Sequence, residues 1–166
     1  MLIVGDSHTR RLAAHRSQIC RRVESIQLSF LHRGGVGIQY GIDRTEEARL
    51  RDIVIIMLAN GMSIPTVIRQ LEDLANGLLR HGAQHVVITA IWPRQNRLFN
   101  DRARQVTEQL SETYRNHPRI TLWLTERRLS MMTIDGVHLR PNAYRRAAIY
   151  IASCIIWVIR NRLQTQ

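Results

Sequence analysis

Short apolar runs rich in β-branched residues alternate along the chain with longer segments of helical periodicity. The runs predict five strands, at residues 2–5, 26–31, 53–59, 85–91 and 120–124. Residues 53–59 are apolar without a break. Such a run is typical of a central parallel strand that is covered on both faces.

The segments between the strands predict helices over residues 8–22, 66–80, 98–116 and 141 to about 163, with a further short helix before Leu50. Strands that alternate with helices indicate a parallel sheet with helices on both faces. We therefore expect one three-layer α/β/α domain over residues 1–166. It could be a domain taken from a longer protein or a minimal stand-alone protein.

The charge is strongly unbalanced. The chain has 24 basic and 13 acidic residues, for a net charge of +11, and every basic residue is an arginine. A surface of this kind favours polyanions such as nucleic acid, anionic lipid or an acidic partner. The first and last helices of this topology usually lie on the same side of the sheet, so their arginines could form one basic face. These are Arg10, Arg11, Arg21, Arg22, Arg145, Arg146, Arg160 and Arg162.

The alternative is a dispersed, solvated charge. Because no aromatic stacking motif is visible, any nucleic-acid binding should act through the backbone, depend on salt and lack sequence specificity. Two distant cysteines, Cys20 and Cys154, indicate neither a disulfide scaffold nor zinc. The apolar stretch at the N-terminus is too short for a signal peptide, so we expect an intracellular protein. Trp123 and Trp157 are predicted core residues.

Chemically useful residues follow the predicted strands at the edge where open parallel sheets bind ligands. Ser7 follows the first strand, Gly35 the second and Asn60 the third, while Asp135 and His138 precede the last helix. This set is sufficient for acyl transfer. Ser7 would be the nucleophile, His138 would move the proton, and Asp135 would orient the imidazole.

The N–H groups of Ser7 and Gly35 and the side-chain amide of Asn60 would form an oxyanion hole. Each signal also has a structural interpretation. Ser7 could serve simply as a helix cap, and Asp135 and His138 could simply form a hydrogen bond within a loop. His8 and Trp92 are weaker candidates, for the substrate pocket. His8 could equally be an exposed residue at a helix start, and Trp92 could merely pack under a loop.

In these positions the chain resembles the SGNH hydrolases, also called the GDSL esterase/lipase family, whose four blocks carry Ser, Gly, Asn and His in order. The blocks correspond to Gly5-Asp6-Ser7, Gly35, Asn60 and Asp135-Gly136-Val137-His138-Leu139. Gly34 could replace Gly35, and Leu58 and Gly61 replace the first and last residues of the family's Gly-x-Asn-Asp block. The resemblance implies a flavodoxin-like sheet, a serine esterase mechanism, and neither metal nor cofactor.

A second resemblance concerns Ile91-Trp92-Pro93-Arg94 with Asn100, and the segment Gly5-Asp6-Ser7-His8-Thr9-Arg10-Arg11. Both look like segments of the SGNH domains of certain non-LTR retrotransposon first-ORF proteins. We expect an esterase acting on small acyl esters, most simply acetyl esters, since no lid insertion is visible. The alternatives are an acyltransferase or thioesterase, or a basic binding module of a retroelement ribonucleoprotein with secondary or lost esterase activity.

Overall fold

A computed structural model of the chain contains a sheet of five parallel strands in the order β2-β1-β3-β4-β5. It describes residues 1–23, 26–33, 37–48, 52–57, 63–91, 94–124, 133 and 135–163. The strands are β1 (Leu2–Gly5), β2 (Ser29–His32), β3 (Ile53–Met57), β4 (His85–Thr89) and β5 (Ile120–Trp123). The predicted strand number, direction and three-layer class are confirmed.

The helices follow the strands in chain order. They are α1 (Ser7–Ala13), α2 (Arg16–Cys20), α3 (Gln39–Ile42), α4 (Ile64–Arg80), α5 (Arg97–Tyr114) and α6 (Pro141–Leu163), and a 3₁₀ turn spans Thr45–Ala48. Among the described residues, no helix is both long and apolar enough to span a membrane.

Each face of the sheet has its own apolar core, because successive side chains of a strand point to opposite faces. In β1, Ile3 packs with α1, α2 and α6, whereas Leu2 and Val4 pack with α4 and α5. The apolar stripe of α4, formed by Val67, Leu71, Leu74 and Leu78, is buried on the second face. The first and last helices of the chain therefore lie on the same side of the sheet, as expected.

The helix predicted over residues 8–22 is wrong in one respect, since the chain forms two helices there. Ala14 caps the C-terminus of α1, and His15 precedes α2 with φ −103° and ψ 15°. Leu12 and Ile19 are both fully buried. Neither glycine nor proline marks the break, and α2 packs against α6 after it. The seven-residue spacing of the two buried side chains therefore concealed the break between the two helices.

Two smaller corrections concern strand and core boundaries. The second strand begins at Ser29, and β4 ends at Thr89, so both are shorter than their apolar runs. Trp157 is not a core residue, because it is 44% exposed. Its ring centroid lies 5.8 Å from that of half-buried Trp123. Apolar runs extend past strand ends because the residues beyond them still pack against neighbouring elements.

Candidate active site

Ser7 lies where β1 becomes α1. It is the first residue of the helix, and the Asp6 carboxylate accepts a hydrogen bond of 2.8 Å from the His8 backbone N–H. In the strand order β2-β1-β3-β4-β5, the connections leaving β1 and β3 run in opposite directions along the sheet. This switch point is where open α/β sheets form their ligand crevice.

Ser7, His138 and Asp135 form one continuous hydrogen-bonded series. Ser7 Oγ is 3.0 Å from His138 Nε2, and His138 Nδ1 is 2.7 Å from Asp135 Oδ2. Ser7 and His138 are separated by 131 positions in the sequence, so only the fold brings them together. A hydroxyl, an imidazole and a carboxylate in this order can move the hydroxyl proton to the imidazole while the carboxylate stabilises the cation.

The loop before α6 holds Asp135 by several hydrogen bonds. Asp135 Oδ1 accepts the backbone N–H groups of Val137 and His138, each at 2.9 Å, and also the hydroxyl of Thr133. Because one carboxylate oxygen is engaged by the loop, the other is directed to the imidazole. No motif in the sequence indicated Thr133, and its one local signal was a hydroxyl in a loop, where such side chains commonly bond nearby backbone, as Thr133 Oγ1 does with the His138 carbonyl.

The same contacts keep Asp135 ionised. The His138 backbone N–H, the Thr133 hydroxyl, the His138 imidazole and the Val137 N–H together hold the pKa of Asp135 far below its usual range. Asp6 behaves oppositely, because burial raises its pKa and the hydrogen bond from the His8 N–H only partly offsets this effect. Two carboxyl groups near Ser7 thus differ in acidity, and the more acidic one contacts His138.

The segment from Arg94 to Asn100 supports the loop that carries Asp135. The Gln95 backbone N–H donates to the Gly136 carbonyl at 2.8 Å. Gly136 has a φ of +64°, and a Cβ there would lie 2.8 Å from Gln95 Cβ, so no larger residue fits without strain. The Asn100 side chain in turn bonds both the N–H and the carbonyl of Arg94. Arg94 and Asn100, which the sequence analysis matched to a motif, therefore hold the segment that contacts the Asp135 loop.

His8 is buried beside the series rather than exposed at a helix start. It is 6% exposed, and its ring centroid lies 5.4 Å from that of His138. Its Nδ1 lies 2.9 Å from the hydroxyl of Tyr144, which is also buried. Tyr144 stands on α6, and no motif in the sequence indicated that this residue would reach the site.

Three predicted site residues, Gly35, Asn60 and Trp92, lie outside the described residues, so their proposed roles stay predictions. Among the residues that are described, no group of three or more His, Cys, Asp or Glu side chains is arranged to hold a metal ion.

Several solved structures have a fold similar to that of this chain. The chain is similar to a member of the lipolytic protein G-D-S-L family from Veillonella parvula, with 18% identity over 90% of this chain and 93% of that one, and a TM-score of 0.70. It is also similar to the catalytic domain of the Streptococcus pneumoniae peptidoglycan O-acetyltransferase OatA, with 14% identity over 98% and 93% of the two chains and a TM-score of 0.69.

A family two carbohydrate esterase from Cellvibrio japonicus is similar over 96% of this chain and 61% of its own, with 11% identity and a TM-score of 0.73. No family model and no curated protein sequence matches the chain. These likenesses show that the domain has the α/β fold of the SGNH hydrolases. The resemblance to retrotransposon proteins stays a sequence-based prediction, since none of these three structures tests it.

Proposed function

We propose that the protein is a serine-dependent hydrolase of small acyl esters. The observation that carries this proposal is the hydrogen-bonded series from Ser7 through His138 to Asp135. Its support is geometric, since the serine oxygen lies within the distance at which an imidazole can accept its proton. The series also stands at the crevice where sheets of this topology bind ligands.

The reaction runs in two halves. Ser7 Oγ forms a bond to the ester carbonyl carbon as its proton passes to His138 Nε2, and Asp135 stabilises the imidazolium. When the tetrahedral intermediate collapses, the bond to the leaving alcohol breaks and His138 returns the proton to that oxygen. Water then attacks the acyl-enzyme and loses its proton to His138. The bond between the acyl carbon and Ser7 Oγ breaks, His138 returns the proton to Oγ, and the free acid leaves.

The negative oxygen of the intermediate needs hydrogen-bond donors. The proposed donors are the Ser7 N–H, the Gly35 N–H and the Asn60 side chain, and removing one such donor typically slows a reaction by about 10²–10³. An acetyl group is the preferred acyl group in this proposal. One structural relative is named as an O-acetyltransferase, which supports the choice.

The same relative favours transfer to an acceptor other than water as a second candidate. Water and an alcohol compete for the same acyl-enzyme, so both activities would use Ser7. Adding increasing concentrations of an alcohol acceptor to p-nitrophenyl acetate separates them. A transferase forms the acetylated alcohol at the expense of acetate, whereas a hydrolase keeps releasing acetate.

The deciding experiment compares p-nitrophenyl acetate, butyrate and octanoate as substrates for the parent chain and for Ser7→Ala. We expect fastest turnover of acetate and a loss of at least about 10³-fold in kcat/KM in the variant. Ser17→Ala is the matched control, because Ser17 is exposed on α2 and makes no contact with His138. Activity of Ser7→Ala within a few-fold of the parent would overturn the proposal.

A further inference from the structure

The two helical layers of the molecule carry very different charge. Residues 7–22 and α6 contain nine arginines and not one acidic residue. By contrast, α4 and α5 together contain five arginines and five acidic residues. The net charge of +11 therefore lies mainly on one side of the sheet.

Six arginines of this layer are exposed and form no ion pair with a described carboxylate. We call Arg10, Arg11, Arg16, Arg22, Arg145 and Arg146 the arginine face, since all six are exposed on α1, α2 with its C-terminal turn, and α6. In the described part of the chain, no carboxylate lies within 4.0 Å of any of them. The ion pairs on α5, such as Arg104 with Asp101, show that arginines of the other layer do find partners.

The helices that carry the arginine face are in contact with one another. Both α1 and α2 contact α6, and their apolar sides share one core with it. Like charges repel, so a concentration of guanidinium groups without carboxylates is unfavourable for the isolated molecule. An anionic partner would remove that repulsion, and a guanidinium matches the geometry of phosphate through two parallel hydrogen bonds.

We propose that the arginine face binds the phosphate backbone of nucleic acid. A membrane surface is less suited, because binding there depends on apolar side chains that insert below the headgroups. The largest exposed apolar side chains of α6 are Ile149, Tyr150 and Trp157, at 40%, 40% and 44% exposure. They are more than half buried, and Trp157 is held against Trp123. Positive charge without acidic residues is thus the main feature that this layer offers a partner.

This binding is electrostatic and independent of sequence. Each neutralised phosphate releases counterions, so the affinity falls steeply with salt, with a slope in log–log form of about −0.7 per contact for single strands. The inference stands apart from the proposed esterase activity, because none of the six arginines belongs to the hydrogen-bonded series at Ser7.

The test measures fluorescence anisotropy of a labelled, mixed-sequence RNA oligonucleotide across a range of salt. The face variant carries Arg11→Gln, Arg16→Gln and Arg145→Gln. The matched control carries Arg69→Gln, Arg80→Gln and Arg102→Gln, which are exposed on α4 and α5 and remove the same net charge. A third variant with lysine at the same three face positions keeps the positive charge. Thermal melts of all variants check that each one is folded.

We expect the face variant to lose at least about tenfold in affinity and its salt slope to fall by about 2, whereas the control loses less than about threefold. Lysine at the face positions should restore most of the slope. Equal losses in the two glutamine variants would overturn the proposal, since net charge alone would then explain binding. It would also be overturned if the parent ignored RNA but bound phosphatidylserine vesicles through the same arginines.

Discussion

Asp135 shows how hydrogen bonds within one loop can lower the pKa of an exposed carboxyl group. Its side chain is 48% exposed, yet three hydrogen bonds to Oδ1 and one to Oδ2 all favour the charged form. The pKa of Asp135 therefore lies below its ordinary value because of donors within its own loop. Since the pKa is lowered on folding, its contribution to stability is present above the unfolded pKa and disappears only as the pH falls through the lower folded pKa.

Replacing Asp135 by asparagine tests the separate roles of its two carboxylate oxygens: Oδ1 bonds the loop, and Oδ2 orients His138. The asparagine carbonyl can still accept the N–H groups of Val137 and His138, so the loop should persist. Its amide would face His138 Nδ1 with a donor instead of an acceptor and favour the wrong tautomer. We expect kcat for p-nitrophenyl acetate to fall by about 10³–10⁴.

The matched control for this prediction is Asp73→Asn, because Asp73 is exposed on α4, on the opposite side of the sheet. The control should leave kcat unchanged. A kcat of Asp135→Asn close to that of the parent would contradict the orienting role of the carboxylate.

At the scale of elements, the junction between β1 and α1 depends on the absence of a side chain at Gly5. A Cβ at this position would lie 1.7 Å from Thr9 Oγ1 and 2.9 Å from the Met57 carbonyl oxygen. Met57 belongs to the neighbouring strand β3, and Thr9 belongs to the first turns of α1. Only glycine allows the strand, its neighbour and the helix to meet this closely, and Ser7 stands at that meeting point.

Gly5→Ala should therefore destabilise the protein and displace Ser7. Because Thr9 is β-branched and the Met57 contact is with backbone, neither neighbour can move cheaply, and we expect a loss of about 1–3 kcal/mol in the free energy of unfolding. Esterase activity should fall as well. Urea unfolding and turnover of p-nitrophenyl acetate measure the two effects.

Gly37→Ala is the matched comparison, since a Cβ at Gly37 has no atom within 4 Å. It should change stability by less than about 1 kcal/mol. If the two alanine variants proved equally stable, the close approach at Gly5 would not constrain the junction.

At the scale of the whole molecule, burial between α6 and the sheet controls the chemistry of Cys154. This residue has no exposed surface, and burial raises the pKa of its thiol to about 12. Cys20 is also a free cysteine, but it lies only partly buried on α2. A thiol must ionise and be reached by the reagent before it reacts, so the two cysteines should behave differently.

We expect an aromatic disulfide reagent at mildly alkaline pH to modify one thiol per native molecule rapidly, and the second only at the rate of unfolding. Absorbance of the released thiolate gives the two phases. Cys20→Ser should remove the fast phase alone. Two rapid equivalents in the parent would show that α6 does not seal Cys154 from solvent.

Much of this architecture can be predicted from the sequence because its determinants are local. The continuous apolar run at β3 indicates a strand buried on both faces, and the stripe on α4 indicates one buried helix face. The break between α1 and α2 was not predictable, since it has no local marker and Leu12 and Ile19 keep a helical spacing across it. Trp157 was misjudged for a related reason, because an apolar helix that lies on a sheet still exposes one side.

Local sequence is enough to establish the succession of strands and helices along the chain, the residue types at the strand ends and the spacing of Asp135 and His138, because these depend on near neighbours. The contact of Ser7 with His138 across 131 positions and the contact of Tyr144 with buried His8 depend on tertiary packing. Distances between remote residues follow from how the helices pack on the two faces of the sheet, and no local pattern encodes that packing.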